Sequence, residues 1–217
     1  MAREVALISG GEIRNKERFI PFLMGQKATV ICADKGANHL AGGKLVPDLI
    51  VGDMDSISAE MLDVFTKKGA DIERHPSHKD QSDTALSLQA ALLLKPKRIS
   101  IYGALGGRID HALANIALLG SKTAGTMLRI VEDDCELFVV SANRQIQGFP
   151  GQLVSFLPFG GSAQGVTLSG FEYELLNGAL KTDEPIGISN RLIGTQGVVS
   201  IRHGQLLVVQ HFKDPLW

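Results

Sequence analysis

The chain has 217 residues, 44% of them hydrophobic and 21% charged, with a formal net charge of −1. This composition suits one large or two modest globular domains and gives no broad electrostatic pull toward nucleic acid or an anionic membrane. The only cysteines, Cys32 and Cys135, are far apart and form no CxxC or Cys/His cluster, which argues against a disulfide framework or a structural zinc site and fits a reducing cytoplasm.

The N-terminus runs into the strand-like Val5-Ala6-Leu7-Ile8 without the long apolar core and cleavage site of a signal peptide. No stretch reaches the length of a membrane span. A cytoplasmic protein with no membrane partner and no nucleic-acid partner is expected.

In chain order, Val5–Ile8, Thr29–Cys32, Leu49–Val51 and Arg98–Tyr102 read as short Val/Ile-rich strands bounded by Gly, Pro or Asp. Between and after them, Lys16–Met24, Ala59–Lys68, Ser82–Leu94 and Asp110–Leu119 carry apolar residues at helical spacing. The alternation predicts an α/β domain over residues 1–130, a mostly parallel sheet with helices on both faces. Ligands of such sheets bind beyond the carboxyl ends of the strands, and Asp34, Asp53 and Gly103 each follow a strand directly. From about residue 131 the pattern changes to short β-type runs: 136–140, 153–157, 165–168, 171–175, 198–202 and 205–210. These predict an all-β, sandwich-like domain over residues 131–217, with Arg202-His203-Gly204-Gln205 as a hairpin turn.

Chemistry gathers in three segments. Gly52-Asp53-Met54-Asp55-Ser56 offers two carboxylates one residue apart after a strand, a pattern suited to a hard divalent cation. The alternative is that these residues cap the helix near Ser58. Lys79-Asp80-Gln81-Ser82-Asp83-Thr84 precedes a helix whose N-terminal N–H groups suit phosphate, with capping by Ser82 or Asp83 as the competing reading. Gly103-Ala104-Leu105-Gly106-Gly107-Arg108 is glycine-rich, and Arg108 can add charge-assisted phosphate contacts. It lacks the GxxxxGK[ST] of a Walker loop. The following helix carries Asp110, His111 and Asn115; Asp110 reads equally as its cap and His111 as a hydrogen-bonded structural residue. Cys32 reads as a buried thiol, Asp34 as either a ligand or a cap, and Ser189-Asn190 as an exposed turn when taken alone.

In order, the segments CADKGAN (32–38), PDLIVGDMDS (47–56), KDQSD (79–83), GALGGRIDHALAN (103–115) and GISN (187–190) resemble the thiamine pyrophosphokinase family. The resemblance implies transfer of the diphosphate of ATP to the hydroxyethyl group of thiamine, giving thiamine diphosphate and AMP. It also implies a homodimer with the site at the subunit interface. Its catalytic and Mg²⁺ residues map onto Asp53, Asp55 and Asp83. ATP-binding positions map onto Asp34, Gly52, Ser56, Asp80, Ser82, Thr84, Arg108 and Asp110, and thiamine-binding positions onto Lys79, Ser189 and Asn190. The chain departs from the family pattern at Lys35 and Arg191, which add positive charge, at Ser82, which keeps a hydroxyl in place of threonine, and at Ala85. Rival readings are a pyrophosphokinase or phosphohydrolase for another small alcohol, and a nucleotide- or thiamine-sensing module without turnover.

Overall fold

The computed structural model describes residues 4–78 and 80–217. The chain divides into two compact units, one ending at Asp133 and including Leu216–Trp217, the other Asp134–Pro215.

The first unit is an α/β sandwich. Its strands are β1 (Glu4–Ile8), β2 (Thr29–Ala33), β3 (Leu49–Gly52), β4 (Asp71–Arg74), β5 (Arg98–Tyr102) and β6 (Met127–Val131), in the order β6-β5-β1-β2-β3-β4. Every pairing among them is parallel. Leu7, Ile8, Ile31, Ile50, Ile99 and Ile101 are wholly inaccessible to solvent, so both faces of the central strands are covered, as a parallel sheet requires. The helices are α1 (Lys16–Gly25), α2 (Ala59–Lys67), α3 (Asp83–Leu93) and α4 (Ile109–Leu118), with a short 3₁₀ helix over Asp34–Leu40. Helix α3 packs on β1, β2 and β3.

The chain builds outward from β1 to β4 and then returns to place β5 on the other side of β1. The strand order thus reverses between β1 and β5, and a crevice opens beyond the carboxyl ends of such a pair.

The second unit is all β: β7 (Cys135–Val140), β8 (Arg144–Gln147), β9 (Leu153–Pro158), β10 (Ala163–Ser169), β11 (Leu175–Leu180), β12 (Asn190–Arg191), β13 (Gln196–Ser200) and β14 (Leu206–His211). Two antiparallel sheets form, ordered β12-β9-β14-β7 and β11-β10-β13-β8. Phe138, Val154, Phe156, Val166, Phe171, Leu180, Val199, Leu206 and Val208 form one buried cluster, with the Phe156 and Phe171 rings edge to face at 5.0 Å.

The expected hairpin at Arg202–Gln205 is absent. Strand β13 pairs with β10 and β8, whereas β14 pairs with β7 and β9, so this turn carries the chain from one sheet to the other. The β run expected at 171–175 also shifts. Phe171 is a core anchor and the strand begins at Leu175.

Candidate active site

Beyond the carboxyl ends of the parallel strands lies a cleft of about 650 Å³. Four strand ends contribute a turn to it: Ser9–Ile13 after β1, Asp34 and Lys35 after β2, Asp53 and Ser56 after β3, and Ala104 with Gly106–Arg108 after β5. Gln81–Thr84 adds the start of α3, and His111 and Asn115 come from α4.

The turns are tied to one another by their backbones. Ser9 N donates to Tyr102 O and Gly11 N to Gly103 O, both at 2.8 Å. A Cβ at Gly11 would stand 2.5 Å from Gly103 O, so only glycine allows the first and fifth strand ends to approach this closely. Asn115, buried on α4, donates from Nδ2 to Ala104 O at 2.8 Å and holds the glycine-rich turn from beneath. The Ser9 and Thr84 hydroxyls bond at 2.8 Å in the interior and anchor α3 to the end of β1.

The capping alternative holds at Ser82 and fails for the aspartates. Ser58 caps α2, accepting from Met61 N at 3.2 Å, and Ser82 caps α3, accepting from Ala85 N at 3.2 Å. Helix α4 has no side-chain cap. Asp110 instead pairs with Arg108, an exposed pair whose hydrogen bonding draws the Asp110 carboxyl down to about 2. Asp53, Asp55 and Asp83 are therefore not consumed as caps.

Asp34, Asp53 and Asp55 each bring a carboxylate oxygen within 4.8 Å of the others. Asp34 is 4% exposed and its φ is +36°, a left-handed conformation that costs strain and recurs at functional sites. Its Oδ1 is buried with no hydrogen-bond partner among the described residues. Burial, first, and then the charges of Asp83 and Asp53 push its carboxyl above the ordinary value, against the Ser56 hydroxyl. Met54, also left-handed at φ +66°, turns the chain between Asp53 and Asp55. Asp55 N donates to Asp53 Oδ1 at 3.2 Å, and Ser56 Oγ to Asp55 Oδ1 at 2.8 Å.

Gly52 makes room for this crowding. A Cβ there would stand 2.6 Å from Asp34 Cβ and 3.1 Å from Asp83 Oδ1. A buried, partner-seeking carboxylate among others is the donor set a hard divalent cation satisfies, and Mg²⁺ fits these all-oxygen ligands.

Of the residues expected from sequence, Asp34, Asp53, Ser56, Ser82, Asp83, Thr84 and Arg108 line the cleft. Asp55 joins through the carboxylate cluster and Gly52 by its packing. Asp80 and Asp110 are exposed and outside its lining. Lys79 lies outside the described residues. Cys32 is fully buried, and burial drives its thiol far above the ordinary value.

Sequence reasoning missed Ser9–Ile13, Lys16, His39 and Ser77. The small residues Ser9-Gly10-Gly11 directly after the first strand were the available signal. His39 Nε2 lies 2.8 Å from Gly11 O, and burial, then Lys16, hold its imidazole below the ordinary value. It is a neutral donor that steadies the first turn.

In the second unit, Asn190 is 2% exposed and its carboxamide is spent internally. Its Oδ1 accepts from Tyr173 N (2.9 Å) and Arg191 N (2.8 Å), while Nδ2 donates to Tyr173 O at 2.8 Å. Ser189 is exposed at φ +58°, and its backbone N donates to Ser155 Oγ at 3.0 Å. Arg191 donates to Gly151 O at 3.0 Å.

Comparison with known proteins agrees with these features. Residues 21–131 match the family described as the catalytic domain of thiamin pyrophosphokinase, and residues 140–206 match its vitamin B1 binding domain. The chain is similar to thiamine pyrophosphokinase of Bacillus subtilis, with 29% identity over 222 residues, covering 96% of this chain and 98% of that one. It is also similar to thiamine pyrophosphokinase 2 of Arabidopsis thaliana, with 28% identity covering 94% and 82% of the respective chains. The crystal structure of the Bacillus subtilis protein superposes with a TM-score of 0.84 over 97% of this chain and 100% of that one. That of the Geobacillus thermodenitrificans protein gives 0.82 at 26% identity, over 97% and 98%. With matches covering both of its units, the chain belongs to the thiamine pyrophosphokinase family.

Proposed function

We propose that this chain is a Mg²⁺-dependent thiamine diphosphokinase, transferring the diphosphate of ATP to thiamine to give thiamine diphosphate and AMP. The observation that carries this reading is the cleft in the first unit. Its carboxylate cluster of Asp34, Asp53 and Asp55 stands beside glycine-rich turns, in a chain that also matches a vitamin B1 binding domain.

In the reaction, the thiamine hydroxyl oxygen forms a bond to the β-phosphorus of ATP. The bond from that phosphorus to the oxygen shared with the α-phosphate breaks, and AMP leaves. Such transfers depend on positioning and on electrostatics more than on a covalent catalyst. Asp34, Asp53 and Asp55, in place of the Asp53, Asp55 and Asp83 set that the resemblance implies, would hold Mg²⁺, which would neutralise charge on the ATP phosphates. The backbone N–H groups of the glycine-rich turns and the guanidinium of Arg108 bind phosphate oxygens. The start of α3, at Ser82–Thr84, offers a helix N-terminus to the same charge.

Asp83, half-buried beside Gly52 and Asp34, accepts the proton that the thiamine hydroxyl sheds as its oxygen bonds to phosphorus. Asp80 and Asp110 act at the rim, Asp110 by orienting Arg108. Ser189 and Lys79 contact thiamine, and Asn190 fixes the loop that presents Ser189.

The active form in this reading is a cytoplasmic homodimer with the site at the subunit interface. Large apolar side chains left exposed on the second unit, Tyr173, Leu176, Ile186, Ile188 and Ile193, support it, since burial against a partner would remove them from water. No helix among the described residues is long and apolar enough to cross a membrane.

The test is AMP release from ATP and Mg²⁺ with and without thiamine, with the product identified by mass. Thiamine-dependent AMP accompanied by thiamine diphosphate is expected. AMP released equally without thiamine, or none at all, overturns the reading.

A further inference from the structure

Cys135 and His211 are separated by nearly the whole second unit in sequence, yet they are direct partners in the β7–β14 ladder. Residues directly opposite in an antiparallel pair project to the same face, with Cβ atoms about 5 Å apart. Asp134 precedes Cys135, and its carbonyl accepts from Phe212 N at 2.8 Å, so the backbone fixes all three positions. A carboxylate oxygen of Asp134, Sγ of Cys135 and a ring nitrogen of His211 lie within 4.8 Å of one another. Asp134 is exposed, His211 half-buried and Cys135 buried, giving an ion an approach from solvent.

We propose that Asp134, Cys135 and His211 form a Zn²⁺ site. Thiolate, imidazole and carboxylate are the donor types zinc takes, with bonds of about 2.0–2.3 Å, and small side-chain rotations close the trio onto one ion. Three protein ligands leave the fourth tetrahedral position to water. The carboxylate cluster of the cleft differs in kind: all-oxygen, it selects hard cations such as Mg²⁺. The two sites therefore sort metals by donor softness. Spacing along the chain argued against a structural zinc site, but strand pairing supplies a proximity that such spacing does not show.

The site joins the first residue of the second unit to its last strand. Zinc there closes almost the entire unit into one loop and adds its binding energy to that unit's folding. The inference does not depend on the proposed reaction.

Co²⁺ replacing Zn²⁺ in the full chain provides the test, because sulfur ligation gives a thiolate-to-cobalt charge-transfer band that oxygen ligands do not. The expected result is one such band per chain, bleached by Zn²⁺ and lost in Cys135→Ser. His211→Ala and Asp134→Asn keep the thiol and change surface-accessible groups. Each should weaken Co²⁺ binding by more than the roughly 10- to 100-fold that outer-shell changes cost. The melting temperature should rise with Zn²⁺ in the parent chain and not in these variants. No thiolate band in the parent chain, or a band undiminished in His211→Ala, overturns the site.

Discussion

Two buried polar residues, one from each unit, are treated in opposite ways. In the second unit, Asn190 is buried and each of its amide atoms is matched within the unit. In the first, Asp34 is just as buried, but strained, crowded by like charge and left with an oxygen unmatched among the described residues. The contrast separates a residue that holds a shape from one that awaits a ligand. An unsatisfied buried group costs about 1–3 kcal/mol, and at Asp34 a bound cation would return that cost.

The largest effect that tests this contrast is on turnover. Asp53→Asn and Asp55→Asn should each lower kcat by at least about 10²–10³-fold, the scale of removing a preorganised electrostatic contact, with melting unchanged. Asp34→Asn should lose activity comparably but raise the melting temperature of the Mg²⁺-free chain, since it removes a buried, repelled charge. If Asp34→Asn melts lower than the parent chain, the carboxylate is structural and the contrast collapses.

Next is Gly52→Ala, whose Cβ must displace Asp34 or Asp83. A loss near 10²-fold in kcat follows from ångström-scale misplacement, and a near-parental rate would show that the cluster does not need this spacing.

Third, Asn190→Ala should destabilise the second unit by about 1–3 kcal/mol, read by hydrogen exchange of its strands. Ser189→Ala should leave stability intact and raise the KM for thiamine about tenfold, one hydrogen bond of about 1.4 kcal/mol. An effect of Ser189→Ala on ATP instead would break the division of labour.

The smallest effect is that of pH. His39 has its folded pKa lowered from 6.5, so the unfolded chain binds the proton more readily. Stability from this group is full above 6.5 and is lost as pH falls from there through the lower folded value. His39→Gln should flatten that part of the stability–pH profile, and identical profiles would show that His39 is not desolvated.

Legibility in the sequence followed the same division. The central strands and all four helices were readable because buried parallel strands are continuous apolar runs and the helices keep their period. β4 was missed because an edge strand reading Asp-Ile-Glu-Arg, mostly exposed, shows no apolar run. β6, Met127–Val131, lay at the change of pattern near the expected boundary. Most of the acidic site was legible because it is built from contiguous segments at strand ends. The Asp134–Cys135–His211 trio and the sheet-to-sheet passage at Arg202–Gln205 were not, because both depend on which distant strands pair. No local pattern states that.

In the first unit the rings of Phe19, Phe22, Tyr102 and Trp217 pack together. Trp217 is the chain's sole tryptophan. It is 3% exposed, with its indole N–H buried and unmatched among the described residues. Its ring lies 5.1 Å from Phe19, 5.2 Å from Phe22 and 5.8 Å from Tyr102. Indole fluorescence therefore watches one half of the molecule only. A denaturant titration followed by tryptophan emission reports the loosening of the first unit's core, while far-ultraviolet dichroism sums both halves. The gap between the two curves measures, without any added label, whether the halves come apart together or in turn.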